Sequence, residues 1–147
     1  MKKLLLLLLF IPLLGFSQIG EVKSIDDPEE ILVGYNNKMT KFHKLSYSVN
    51  SDNKKLYTIS YRNMKYQQID EYGSFSFTAA DEEIEYLYNF FLEQMSDKSG
   101  KTIELGENKI FARKMGKAVR ISDTTPGVID NNFWLLKKDL ERFFGKR

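Results

Sequence analysis

The residue pattern predicts an α+β protein: antiparallel sheet packed against one long amphipathic helix at about 79–97, with a shorter C-terminal helix at about 137–144. Three observations predict it. Between Thr78 and Asp97, the residues Ile84, Leu87, Tyr88, Phe91, Leu92 and Met95 recur at helical spacing and form one broad apolar stripe. On both sides of this stretch, short segments alternate apolar and polar residues with the period of a half-buried strand. The strands come in runs, each followed by a helix, rather than alternating one for one with helices.

At 147 residues the chain fits one domain and is short for two. With 42% apolar, 14% aromatic and 29% charged residues, it can bury a core and does not resemble a disordered chain. It has no cysteine, which excludes disulfides, thiolate catalysis, Cys-based zinc sites and lipid attachment through an N-terminal Cys.

Residues 1–18, MKKLLLLLLFIPLLGFSQ, have the build of a secretory signal peptide: two lysines, an apolar run from Leu4 to Leu14, and a short polar end. The clean apolar run is too short to cross ~30 Å of hydrocarbon at about 1.5 Å per residue. The expected product is exported, periplasmic or secreted, with no stable membrane anchor after cleavage, and the short lysine start has a bacterial look. The formal charge of +2 is carried by this segment. Taking Lys2 and Lys3 from the 22 bases leaves them equal to the 20 acids. A neutral mature protein is not expected to bind nucleic acid.

Residues 19–30 read as a polar linker and 31–147 as a single α+β domain. The acids Asp26, Asp27, Glu29 and Glu30 around Pro28 lack the alternating ligands and bend glycine of a calcium loop. Ile31 to Tyr35 is a short apolar run, closed by a turn at Asn36-Asn37-Lys38. Leu45, Tyr47 and Val49, then Tyr57, Ile59 and Tyr61, form a hairpin about Ser51-Asp52-Asn53-Lys54. The alternation slips through Arg62-Asn63-Met64-Lys65, which predicts a bulge or a break. Tyr66 to Ile69 is expected to continue as strand, with a turn at Glu71-Tyr72-Gly73. Phe75 and Phe77 then lead into the long helix, capped by Thr78 and begun by Asp81, Glu82 and Glu83 near the positive end of its dipole. Its stripe is expected to bury against Leu45, Tyr47, Ile59 and Phe77. Lys98 and Gly100 mark its end.

A short strand at Ile103 and Leu105, a tight turn at Gly106-Glu107-Asn108 and a hairpin about Met115-Gly116-Lys117 follow. Asp123 to Gly127 is a loop. Phe133 to Leu136 is either strand or the start of the last helix, which buries Leu140, Phe143 and Phe144 and ends at Gly145. The strand-then-helix rhythm occurs twice, but the residues of the two halves do not line up.

Motifs for catalysis are weak. Ser99-Gly100-Lys101-Thr102 imitates the end of a phosphate-binding loop, but the glycine that should precede it is Met95, and helix comes before it where strand is needed. His43 is the only histidine and is expected as a surface imidazole at a strand start; one histidine cannot build a His-rich zinc site. No catalytic residue, metal site or cofactor is expected.

The most suggestive cluster is Tyr57, Tyr61, Arg62, Asn63, Lys65, Tyr66 and Tyr72, with Gln67 and Gln68 between them. Tyrosines beside Arg, Asn and Gln provide flat apolar faces with polar tips, the materials of a recognition surface. Strand propensity and core packing account for the same tyrosines without a binding role, and are the more economical reading. The function expected is non-enzymatic binding of another exported protein, a peptide or a cell-envelope glycan. The alternatives are a small envelope hydrolase using carboxylates and His43, and a structural subunit that pairs by strand addition.

Overall fold

The computed structural model describes residues 28–128 and 131–147. The signal-peptide reading of 1–18 and the linker residues 19–27 lie outside the described residues. Residues 28–30 run as irregular chain into the first strand.

Two four-stranded antiparallel meanders make the architecture, and each is followed by a helix. The first sheet holds β1 (Ile31–Tyr35), β2 (Lys44–Val49), β3 (Lys55–Arg62) and β4 (Tyr72–Thr78), and leads into α1 (Asp81–Gln94). The second holds β5 (Lys101–Leu105), β6 (Asn108–Met115), β7 (Ala118–Asp123) and β8 (Asn131–Leu136), and leads into α2 (Lys137–Phe143). The chain therefore repeats one unit, four strands and a helix, without matching residues. The strand and helix periods and the turn chemistry carry the repeat, and these tolerate many side chains.

The turns form where local chemistry demands them. Leu105 pairs with Asn108, and Met115 with Ala118, so both connections are two-residue hairpins. Each begins with a glycine at positive φ, Gly106 at 63° and Gly116 at 60°, the conformation such tight turns require. In the five-residue loop between β2 and β3, Asn50 Oδ1 accepts the N–H groups of Asp52 and Lys54, and Asn53 sits at φ 60°.

α1 lies nearest the second sheet, and α2 bridges the two sheets. The contacts of α1 run to β6, β7 and α2, while those of α2 run to β1 and β8. The α1 stripe joins the same apolar cluster as Leu45, Ile59 and Phe77, with Tyr47 packed against it, so the second sheet is added to the partners expected for it. Only Ala79 and Ala80 separate β4 from α1. The cap is Ala80 rather than Thr78, which stays paired in β4 opposite Leu56. The Glu83 carboxylate accepts the Ala80 N–H at 2.7 Å, half of a capping box. Lys55 and the Tyr57 hydroxyl both donate to Asp81, which ties the start of α1 to β3. The stripe is rotated from its expected centre: Leu87, Phe90, Phe91 and Gln94 are buried, while Ile84, Tyr88, Leu92 and Met95 pack at its margins.

One continuous apolar cluster joins both sheets and both helices, from Leu45, Ile59 and Phe75 to Ile110, Ile121, Phe133 and Phe143. At its centre, Tyr61 of β3 stacks on Phe133 of β8, with ring centroids 4.7 Å apart and planes at 19°. Phe133 to Leu136 is strand, as one of the two readings had it.

Candidate binding loop

β3 ends at Arg62, and the expected continuation of strand through Tyr66 to Ile69 does not occur. Residues 63–71 instead form a loop that leaves the first sheet, reaches β8 of the second, and returns to begin β4 at Tyr72. The expected turn at Glu71-Tyr72-Gly73 is likewise replaced. Gly73 lies inside β4 opposite Tyr61, because a Cβ there would meet the Tyr61 ring at 2.7 Å.

Asn63 organises the loop. It is 1% exposed, and both ends of its side-chain amide are used. Its Oδ1 accepts the N–H groups of Lys65 and Asn132, and its Nδ2 donates to Asn131 Oδ1 at 2.9 Å. The main chain completes the seam: Asn63 N–H donates to Glu71 O at 2.7 Å and Met64 N–H donates to Asn132 O at 2.8 Å. At its open edge β8 thus meets the Asn63 side chain and the Met64 N–H where another strand would lie. Arg62 braces the other side. Its Nε lies 2.9 Å from Asp70 Oδ1, its Nη2 donates to Gln67 O, and its guanidinium covers the Phe42 ring at 5.0 Å.

This brace holds up an exposed tip. Lys65 to Asp70 are all exposed, and Tyr66, Ile69 and Tyr72 present 40%, 63% and 60% of their surface. The Lys65 ammonium stands 5.4 Å over the Tyr66 ring. Residues 65–69 line a shallow hollow of about 380 Å³.

The residues singled out in sequence therefore part into two groups. Arg62, Lys65, Tyr66 and Tyr72 sit on or beside the loop. Tyr57, Tyr61 and Asn63 are 3%, 1% and 1% exposed and belong to the interior. Tyr57 and Tyr61 alternate with outward residues of β3 and take its inner face, which packs into the core. Burial and the Asp81 carboxylate push the Tyr57 phenol up, and burial pushes the Tyr61 phenol to about 12. Reading the sequence as strand missed Ile69, an apolar residue alone among Gln67, Gln68, Asp70 and Glu71. That isolation, with polar Gln67 and Glu71 at strand spacing on either side, was the available signal.

His43 is not at the surface. It is 3% exposed, packed 5.0 Å from Phe133, with its Nδ1 accepting the Arg62 N–H. The reason is the closed loop before β2: Asn36 N–H donates to His43 O, and Asn36 Oδ1 accepts the His43 N–H, which draws the residue under the sheet. Burial lowers its pKa from 6.5 to about 4. Among the described residues, no three His, Asp or Glu side chains come close enough to hold a metal ion. No described helix is long and apolar enough to cross a membrane. No family model, curated protein or solved structure matches this chain.

Proposed function

We propose that this chain is a small exported, non-enzymatic binding domain that recognises another exported protein through its 63–71 loop. The observation that carries this reading is a loop braced from both sheets and yet exposing Tyr66 and Ile69, with Tyr72 exposed beside it at the start of β4. Large apolar side chains cost free energy at a surface unless something covers them, and a loop ordered in advance loses little entropy on binding. Aromatic rings with an adjacent cation are common anchors of protein interfaces.

The alternatives receive less support. A hydrolase built on His43 would need an imidazole that substrate can reach and that titrates near neutrality, and burial opposes both. Strand addition needs a long free edge, and each of the four edge strands is blunted. β1 is five residues long, bulged at Val33 and lies against α2. The Ser76 carbonyl of β4 accepts from Asn108. β5 is five residues long and carries the exposed charges Lys101 and Glu104. β8 is met by the Asn63–Met64 seam.

The test is capture from envelope extract by purified mature protein, wild type beside Tyr66→Ala/Tyr72→Ala. Both rings are exposed, so the variant should melt as wild type does. Wild type should retain one protein that the variant captures at least about tenfold less, the loss expected for anchors worth ~1.4 kcal/mol or more. Equal capture by the two proteins, or a glycan as the retained species, would sink the protein-binding loop.

A further inference from the structure

On the outward face of the second sheet, side chains of β6, β7 and β8 fall into register as rows. Arg113, Arg120 and Trp134 form the middle row, each directly opposite the next. They alternate along their strands with the core residues Ala112, Ile121 and Phe133, which fixes the face they occupy. One row to one side carries the exposed Met115 and Leu136; one row to the other carries Phe111.

The arginine pair is unfavourable for folding alone. Like charges directly opposite on neighbouring strands repel. Neither guanidinium has a carboxylate partner among the described residues, and the Arg120 Nε is buried without a hydrogen bond. Two arginines directly opposite each other supply guanidinium donors that suit the fork of a carboxylate. Lys109, on the same face beyond Phe111, is paired with Glu104, which leaves the two arginines as a short cationic site without an acid partner among the described residues, whereas a nucleic-acid surface needs cations spread along a phosphate chain.

We propose that this face docks an extended acidic segment of a partner polypeptide, one carboxylate seated between Arg113 and Arg120 and apolar residues two positions away on either side. Alternate residues of an extended chain lie about 7 Å apart, as do successive rows on one face of a sheet. The segment thus has the pattern apolar-x-acidic-x-apolar. Its neighbours meet Met115 and Leu136 on one side and Phe111 on the other. This surface is separate from the 63–71 loop, and each can fail without the other.

Trp134 is the only tryptophan in the chain, so its fluorescence reports on this row directly. The probe is a synthetic peptide of sequence Thr-Leu-Thr-Glu-Thr-Phe-Thr, titrated into the whole protein beside the same peptide with Gln for Glu. The Glu peptide should shift Trp134 emission, bind at least tenfold more tightly than the Gln peptide, and weaken as salt rises. Arg113→Gln/Arg120→Gln should abolish the difference between the two peptides while melting no lower than wild type, since it removes a repulsion. Tyr66→Ala/Tyr72→Ala should leave the response intact. No response at millimolar peptide, equal binding of both peptides, or loss of the response in the loop variant would overturn the assignment. So would a lower melting temperature for the arginine variant, which would make the pair a structural brace, or displacement of the peptide by a single-stranded oligonucleotide at lower concentration than by free peptide.

Discussion

His43 shows how a single side chain can change meaning between sequence and structure. As the only histidine it invited a catalytic reading, and as a residue at a strand start it invited a surface one. It is in fact a neutral core ring between Phe133 and the Arg62 amide. Its folded pKa of about 4 lies below the ordinary 6.5, so between those values the unfolded chain holds a proton that the folded chain excludes. Its contribution to stability is whole above pH 6.5 and declines as pH falls toward 4, by roughly 3 kcal/mol in all. Thermal melting should therefore fall between pH 6.5 and pH 5, before most carboxylates titrate. In His43→Gln that slope should flatten; a slope equal to wild type would assign the effect to other groups. The tyrosines carry the same lesson. Period-two alternation correctly put Tyr57, Tyr61 and Tyr47 on one face of the hairpin, but alternation does not say which face is covered, and for Tyr57 and Tyr61 the answer was the core.

Elements made by local chemistry were the legible ones. The hairpin at Gly116-Lys117, the strands around it and both helices could be read because a turn glycine or a periodic stripe lies within a few residues. The loop at 63–71 could not, because what shapes it lies far away in sequence. Asn63 is 68 positions from Asn131, and its own neighbours look like strand. The same holds for the nearness of α1 to β6 and β7, whose residues follow it by more than a dozen positions. Asn63→Ala should cost about 2–3 kcal/mol, because it strands the buried Asn132 N–H as well as losing its own bonds. Hydrogen exchange at Lys65 and Asn132 should accelerate more than exchange in β6 and β7. Uniform acceleration would mean that Asn63 supports the global fold and not the loop in particular.

At the scale of the molecule, α2 ties the two sheets together by packing on β1 of the first and β8 of the second. The closest approach is at Gly34 of β1, where a Cβ would lie 2.0 Å from Arg142 O and 2.7 Å from Phe143 O of α2. Backbone atoms cannot step aside as a flexible side chain would. Gly34→Ala should therefore lift α2 from β1 and cost about 3 kcal/mol, read as a lower melting temperature. The conservative Gly116→Ala, at an open turn with nothing within 4 Å, should show only the milder strain of its positive φ. If the two variants melt alike, the contact between β1 and α2 is looser than its geometry implies.

The placement of the helices also sets an order of events. A chain that emerges from its N-terminal end completes β1 to β4 first, with the inner face of Leu45, Ile59 and Phe75 ready and no second half to receive it. α1 follows, but the strands it rests on, β6 and β7, come later still. β1 waits longest, for α2 comes only after the whole second sheet. Such a topology postpones its pay-off to distant contacts, which slows folding and leaves the early half adhesive. The nascent first sheet thus presents an uncovered apolar face, and a ribosome-stalled or truncated product ending before Lys101 should aggregate rather than persist as a folded half.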